Sequence, residues 1–194
     1  MATGFDAVVL AGGRATRLGG VDKALVEIGG LSLLDRALRA VRAADNIVAV
    51  GPRRRSDLRV RWVREEPPGA GPVHALRAGL EHVAAELVVV LAVDHPLVTE
   101  RTIAAILGSA RGRDGATLCD FDGHVQPLVG TYRRDVLTER IESLDRTEDA
   151  AMRELVMGLD LGTVLEPGAA MDCNTWEQVQ AARSLIEGDD GDAG

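Results

Sequence analysis

The segment LAGGRATRLGGVDKALVEIGG, residues 10–30, combines paired glycines with basic side chains directly after a short apolar stretch. Gly12 and Gly13 let backbone N–H groups approach an anion closely, and Arg17 and Lys23 can neutralise its charge. The spacing fits neither the P-loop, which ends in Gly-Lys-Ser/Thr, nor the GxGxxG dinucleotide motif. We expect this segment to bind a phosphate group, and a nucleoside triphosphate would suit it. The alternative is a glycine-rich turn with solvated basic residues.

A second chemically capable position follows the most apolar run of the chain, LVVVLAV at residues 87–93. Asp94 ends this run, where its carboxylate could join a Mg²⁺ ion to substrate phosphates. Asp94 lies five positions before Thr99, which is the better cap for the next helix, so a capping role suits Asp94 poorly. The sequence therefore predicts a metal ligand at Asp94.

The segment MDCNT, residues 171–175, immediately precedes the last predicted helix. Asp172 could help to hold the metal or position a second substrate, and Asn174 or Thr175 is expected to cap the helix. Two histidines, His74 and His95, are expected to line the pocket without a chemical role, because geometry must precede any assignment of a base. The run 53–55, three arginines, is expected to be a solvated loop.

These positions need a scaffold, and the chain alternates short apolar runs with segments of helical periodicity. Strands are predicted at 5–10, 47–50, 60–63, 87–93, 116–119, 125–131 and 163–165, and helices at 33–43, 73–85, 99–111, 134–144, 148–157 and from Trp176 onward. This alternation favours an α/β fold with a mostly parallel sheet. The segment DFDGHVQPLVGTY predicts an antiparallel hairpin added to it. Leu10, Val93 and the segment near Asp172 then precede loops at one edge of the sheet, where such sheets bind ligands.

Length and composition limit the class of protein. The chain has 194 residues, a formal net charge of −8 and 3% aromatic residues, which argue against a nucleic-acid partner. We predict one domain over residues 1–186 and a disordered acidic tail over 187–194. The sequence lacks a recognisable signal peptide and an apolar run of membrane-spanning length, which favours a cytoplasmic protein without membrane contact. We expect the protein to be a monomer.

The segment 10–30 resembles the signature loop of the molybdenum cofactor guanylyltransferases, within the wider nucleotidyltransferases that share the pattern LAGGxxxRxG…K. Four further segments resemble family segments in the same order: EEPPGAGPVHALRAGL, AVDHPLV, QPLVGTY and MDCNTWEQV. The resemblance extends from Phe5 to about Ala182. It implies a three-layer, Rossmann-like fold of the nucleotide-diphospho-sugar transferase type.

The same resemblance implies roles for individual residues. Nucleotide-binding positions are Leu10, Ala11, Gly12, Gly13, Lys23, Glu66, Gly71 and Asp94; catalytic positions are Arg17, Lys23 and Asp94; metal ligands are Asp94 and Asp172. The implied cofactor is Mg²⁺. The implied substrates are GTP and molybdopterin, with cofactor-delivery proteins as further partners. Basic residues of segment 133–153 are candidates for contacts to an anionic pterin: Arg133, Arg134, Arg140, Arg146 and Arg153.

Several alternatives stay open at this point. A cytidylyltransferase acting on the same cofactor is the first, although such relatives tend to carry Ala-Ala-Gly where this chain has Leu10 to Gly13. A guanylyltransferase with another small phosphate acceptor is the second. A catalytically silent nucleotide-binding module is the third, but Asp94 and Lys23 are both present. His74 and His95 depart from the family pattern, which makes the contacts to the base less certain.

Overall fold

The computed structural model describes residues 4–12 and 20–189, which form a mixed α/β fold. The strands are β1 (Phe5–Leu10), β2 (Glu27–Ile28), β3 (Leu31–Ser32), β4 (Ile47–Val50), β5 (Arg61–Val63), β6 (Leu87–Ala92), β7 (Gly115–Cys119), β8 (Val125–Arg133) and β9 (Leu161–Leu165). The helices are α1 (Leu33–Ala40), α2 (Pro72–Leu80), α3 (Glu100–Ser109), α4 (Arg134–Glu142), α5 (Met152–Val156), α6 (Pro167–Ala170) and α7 (Trp176–Asp189), and a 3₁₀ turn covers Lys23–Leu25. No described helix is long and apolar enough to cross a membrane.

Seven strands form one sheet in the order β5-β4-β1-β6-β8-β7-β9. Strand β8 runs antiparallel to both of its neighbours, whereas the other pairings are parallel. Helices α1, α3 and α7 pack on one face, and α2, α4 and α5 cover the other. The predicted three-layer α/β fold, with a mostly parallel sheet and an antiparallel addition, is confirmed.

The predicted central strand lies where its composition requires. β6 pairs with β1 on one side and with β8 on the other, and five of its six residues are buried. A strand covered by helices on both faces cannot alternate apolar with polar residues, which explains the continuous run LVVVLA. This strand delivers Asp94 to the edge of the sheet.

Helix α2 is shorter than predicted, because it ends at Leu80 instead of continuing to residue 85. The amides of Ala84 and Ala85 donate instead to one carboxylate oxygen of Asp6, at 2.7 and 2.9 Å. The other carboxylate oxygen of Asp6 accepts a bond from Asn46 Nδ2. A fully buried aspartate therefore joins the starts of β1, β4 and β6.

The remaining differences lie in short or irregular segments. The small antiparallel pair β2–β3 and the four-residue helix α6 were not predicted. The helix predicted at 148–157 is reduced to α5, since Asp149 has a φ of 59°, which ends a right-handed helix. Helix α7 continues to Asp189, three residues into the segment predicted to be disordered, and residues 190–194 lie outside the described part of the chain.

Candidate active site

The candidate site lies at the carboxyl ends of β1 and β6. The chain leaves β1 toward α1 and β4 on one side, while β6 lies on the other side of β1. Strand order therefore reverses here, and this is where open α/β sheets bind ligands. Gly12 follows β1, and Asp94 follows β6. The amide of Val93 donates to Leu10 O at 3.2 Å, which extends the pairing up to the two loops.

Lys23 is the centre of the described polar network. Its Nζ donates to Asp94 Oδ2 at 2.9 Å and to Asn174 Oδ1 at 2.5 Å. The side chain of Lys23 is 18% exposed and that of Asp94 is 21% exposed, so the ammonium remains accessible to a ligand. Three segments far apart in sequence thus meet at one cation. Sequence reasoning selected Lys23 and Asp94, and the structure brings the two together.

Asp94 retains one carboxylate oxygen for another ligand. Its Oδ1 is buried and has no hydrogen-bond partner among the described residues, and neither has His95 Nδ1. His95 Nε2 lies 3.7 Å from Asp94 Oδ1, which is beyond hydrogen-bond distance. A buried carboxylate oxygen without a donor is costly unless a cation or a water molecule satisfies it. The donor chemistry fits a hard divalent cation.

The segment before α7 holds its polar side chains in a fixed arrangement. Thr175 caps the helix, because its Oγ1 accepts a bond from the amide of Gln178 at 3.3 Å. Gln178 Oε1 accepts in return from the amides of Asn174 and Thr175. The expectation that Asn174 could be the cap is wrong for its side chain, which contacts Lys23 instead. Of the two predicted caps, Thr175 is the one observed.

Asp172 is joined to Asp94 through two other side chains. Asn174 Nδ2 and Gln178 Nε2 donate to the two carboxylate oxygens of Asp172. Asn174 then contacts Lys23, which contacts Asp94. The main chain adds a direct link, since the amide of Cys173 donates to Asp94 O at 2.8 Å. The two predicted metal ligands therefore belong to one network, with Asp172 already satisfied by protein donors.

Cys173 supplies a buried thiol to the same segment. Burial raises the pKa of Cys173 to about 11; the nearby Lys23 opposes this shift, whereas Asp172 and Asp94 add to it. A thiol with this pKa is protonated at neutral pH and is a poor nucleophile. Cys173 therefore serves packing, and Cys119 is a buried free thiol as well.

The loop before α2 places two adjacent glutamates in different environments. Glu66 is exposed, and its peptide bond to Pro67 is cis. The neighbouring Glu65 is 7% exposed, and its Oε1 accepts from the amide of Gly69 at 2.9 Å. The same oxygen lies 3.7 Å from the position that a Cβ on Gly12 would occupy. Glu65, which sequence reasoning missed, thus places a buried carboxylate beside the first loop.

His74 connects this loop to the segment after α4. Its Nε2 donates to Glu66 O at 2.8 Å, and in the neutral ring Nδ1 accepts from Thr147 Oγ1 at 2.8 Å. The amide of Asp149 donates to Ala70 O nearby, and a Cβ on Gly71 would lie 3.3 Å from the Asp149 backbone. Gly71 is therefore packed tightly against this segment, which fits a glycine there.

Gly51 allows the loops after β1 and β4 to approach each other. Its φ is 143°, and a Cβ there would lie 2.8 Å from the amide nitrogen of Gly12 and 2.9 Å from the carbonyl carbon of Ala11. Such a contact is too short for any side chain, so glycine is required at this position. The backbone of Gly12 is thereby fixed next to β4.

Two predicted nucleotide contacts cannot be placed. Gly13 and Arg17 lie outside the described residues.

The basic residues proposed to contact an anionic pterin lie in different parts of the fold. Arg133 and Arg134 lie at the opposite edge of the sheet, because β8 runs antiparallel and Arg133 pairs with Leu87 at the start of β6. Arg140 donates to the carbonyl oxygens of Leu155 and Met157. Arg146 remains exposed beside Thr147.

A separate group of possible metal ligands occupies the β7–β8 turn. Asp120, Asp122 and His124 bring one ligand atom each within 4.8 Å of one another. This turn lies at the same sheet edge as Asp94, since β7 runs parallel to β6, but β8 separates the two strands. The pKa of Asp120 is lowered mainly by the hydrogen bond from the His124 amide. Sequence reasoning identified this segment only as part of a hairpin.

A comparison with protein families identifies the family of this chain. The model of the MobA-like NTP transferase domain matches residues 7–161. The chain belongs to this family. A molybdenum cofactor guanylyltransferase of Pseudomonas putida is 34% identical over 162 residues, which cover 79% of this chain and 85% of that protein. The chain is a nucleotidyltransferase, as its first loop suggested.

Solved structures support the same fold for this MobA-like chain. A nucleotidyl transferase from Methanothermobacter superposes with a TM-score of 0.79 at 21% identity, covering 95% of this chain and 98% of that one. The molybdopterin-guanine dinucleotide biosynthesis protein A of Archaeoglobus fulgidus gives a TM-score of 0.73 at 19% identity, covering 94% and 99%. At these identities the comparison establishes the fold alone.

Proposed function

We propose that the chain transfers GMP from GTP to the terminal phosphate of molybdopterin and releases pyrophosphate. The observation that carries this proposal is Lys23, whose ammonium is held by Asp94 and Asn174 at the sheet edge where β1 and β6 end. A partly exposed ammonium at this edge suits the charge of a triphosphate. The guanylyltransferase name of a relative at 34% identity supports the choice of nucleotide and acceptor.

The nucleotide contacts follow from the first loop and its neighbours. The backbone of Leu10 to Gly13 binds the nucleotide, with Arg17 and Lys23 on the triphosphate. Glu66 and Gly71 contact the guanosine part. The buried carboxylate of Glu65 stabilises the loop before α2 by accepting a hydrogen bond from the Gly69 amide.

Asp94 is the proposed ligand of a Mg²⁺ ion, with Asp172 assisting it. The partnerless Oδ1 of Asp94 fits such an ion, whereas both oxygens of Asp172 accept bonds from side chains of its own segment. Bound Mg²⁺ neutralises phosphate charge and aligns the reacting groups. Asp94 is accordingly the principal ligand. The exposed cluster at the β7–β8 turn is separated from Lys23 by β8.

Positioning and charge neutralisation account for the catalysis. The attacking phosphate of the acceptor is already an anion at neutral pH, so the reaction needs no strong general base. Its oxygen forms a bond to the α-phosphorus of GTP, while the bond to the pyrophosphate oxygen breaks. Lys23 and Arg17 offset the charge on the triphosphate. Cys173, with its raised pKa, takes no part.

The deciding experiment is calorimetric titration with GTP, CTP, ATP and NADH in the presence of Mg²⁺. We expect selective binding of GTP, and about 10- to 100-fold weaker binding in Lys23→Ala, the loss typical of a charge-assisted hydrogen bond. Arg101→Ala is a suitable control, because Arg101 is exposed on α3. Turnover is then measured with molybdopterin as acceptor.

Other binding results would change the assignment. Preferential binding of CTP would favour a cytidylyltransferase acting on the same cofactor. Selective GTP binding without transfer to molybdopterin would favour another small phosphate acceptor. Failure of all four nucleotides to bind would contradict the proposal and favour a silent module. The monomeric state and the delivery partners stay predictions of the sequence.

A further inference from the structure

Arg54 differs from its two arginine neighbours. The run 53–55 was expected to be solvated, and Arg53 and Arg55 are exposed, but the side chain of Arg54 is only 9% exposed. A largely buried guanidinium requires partners for its donors. The expectation of a uniformly solvated run is therefore wrong at Arg54.

The guanidinium of Arg54 binds two distant segments and its own loop. Its Nε and Nη2 donate to Asp22 Oδ2 and Oδ1, at 2.8 and 2.7 Å, as a two-point pair. Its Nη1 donates to Ala11 O and to Pro52 O, both at 3.0 Å. Only arginine offers this planar set of donors, since the ammonium of lysine is a point charge without the fork.

Two partners of Arg54 lie eleven residues apart in the sequence. Ala11 directly follows β1, and Asp22 directly precedes the 3₁₀ turn Lys23–Leu25. The side chain of Arg54 therefore joins the end of β1 to the start of this turn. Its bond to Pro52 O, two residues before Arg54, holds the guanidinium against its own loop after β4.

Asp22 passes this constraint to Lys23. Its Oδ1, which accepts from Arg54, also accepts from the amide of Ala24 at 3.2 Å and so caps the 3₁₀ turn that contains Lys23. The turn is closed further by bonds from the amides of Leu25 and Val26 to Asp22 O and Lys23 O. The backbone of Lys23 is thereby fixed on one side, while its Nζ is held by Asp94 on the other.

We propose that Arg54 is a positioning residue of the nucleotide site: it clamps Ala11 to Asp22 and so sets Lys23 against Asp94. Arg54 acts through Lys23, and four of its five N–H groups donate to protein acceptors. The inference rests on the proposed function for the identity of the nucleotide, but the geometry of the clamp is independent of it.

The first test compares Arg54→Lys with the wild type by amide hydrogen exchange without nucleotide. We expect at least about tenfold faster exchange at the amides of Ala24, Leu25 and Val26, because the cap on their turn loses its anchor. Arg55→Lys is the matched control, since Arg55 makes no side-chain hydrogen bond within the described residues. Unchanged exchange at these three amides would overturn the clamp.

The second test is a double-mutant cycle on GTP affinity. Arg54→Lys should weaken GTP binding about tenfold in the wild type, yet have almost no effect in Lys23→Ala, because the Arg54 effect passes through Lys23. Additive losses would mean that Arg54 affects nucleotide binding independently of Lys23 and would overturn the proposed positioning of Lys23. If the wild type binds no GTP, the proposed function fails, while hydrogen exchange still decides the clamp.

Discussion

At the scale of single residues, the site depends on the ammonium group of Lys23, which two side chains contact. Lys23 is contacted by a carboxylate after β6 and by an amide side chain before α7. Removing any one partner changes the surroundings of the others, so single substitutions here are not expected to be additive. Asp94 is the most informative position, because one of its carboxylate oxygens pairs with Lys23 and the other is the proposed ligand of a metal ion.

Asp94→Asn retains the shape of the side chain and removes its charge. We expect turnover to fall by at least about 100-fold, the loss typical of removing one electrostatic contact to a transition state. GTP binding should be partly retained, whereas calorimetric Mg²⁺ binding to the GTP-bound protein should weaken. Asp57→Asn is the control, since Asp57 is an exposed carboxylate in the loop before β5. Unchanged turnover in Asp94→Asn would refute the metal assignment.

At the scale of elements, helix α2 packs against the sheet through a glycine. A Cβ on Gly79 would lie 2.5 Å from Val8 Cγ1 and 3.1 Å from Val50 Cγ2, which belong to buried, β-branched side chains of β1 and β4. These methyl groups cannot rotate away within a closely packed core. The close approach of α2 to the two strands therefore depends on Gly79.

Gly79→Ala should lower the free energy of unfolding by about 1–3 kcal/mol, because overpacking outweighs the better helix propensity of alanine. Gly108→Ala in α3 is the matched control. A Cβ on Gly108 meets nothing within 4 Å, so the same substitution should stabilise the protein by up to about 1 kcal/mol. Urea unfolding measures both changes. Equal effects of the two variants would show that packing at Gly79 is not limiting.

The elements themselves were predictable to different degrees. β4 was predicted at its observed bounds, because a buried parallel strand is a short apolar run between polar loops. The two-residue strands β2 and β3 are too short to show a period. The end of α2 at Leu80 depends on Asp6, whose carboxylate takes over the amides beyond it. Such a competitor lies far away in sequence and carries no local signal.

The site residues were likewise predictable only where the signal is local in the sequence. Lys23 and Asp94 could be selected from local motifs because each follows or lies within a recognisable segment. The contact of Asn174 with Lys23 spans 151 positions, and the clamp by Arg54 on Asp22 spans 32. Neither contact is coded by spacing, and three consecutive arginines look alike in a sequence. Only the fold separates the buried Arg54 from its exposed neighbours.

At the scale of the whole molecule, the buried Asp6 connects three strands of the sheet. Burial alone would raise its pKa, but the hydrogen bonds from the amides of Ala85 and Ala84 and from Asn46 outweigh burial and lower the pKa below its usual value. A carboxyl whose pKa is lower in the folded state stabilises the fold above its unfolded pKa. This contribution to stability is lost as the pH falls through the lowered pKa that Asp6 has in the folded state.

The wild type should therefore lose stability below about pH 4, where the carboxyl begins to protonate in the unfolded chain. Asp6→Asn should be less stable at pH 7, and the part of the acid dependence due to Asp6 should be missing. Chemical unfolding from pH 7 to pH 3 tests this, with Asp57→Asn as an exposed control. Parallel stability curves for wild type and Asp6→Asn would contradict the assignment.

The bond from the Cys173 amide to Asp94 O, together with the contact of Asn174 to Lys23, has a consequence for biosynthesis. Strands β1, β4 and β6 are all translated before residue 93, so this part of the sheet can begin to form while later residues are still being added. The partners of Lys23 are incomplete until Asn174 has been translated, 151 positions after the lysine itself. A nascent chain therefore completes the contacts of Lys23 only after strand β9 has been translated.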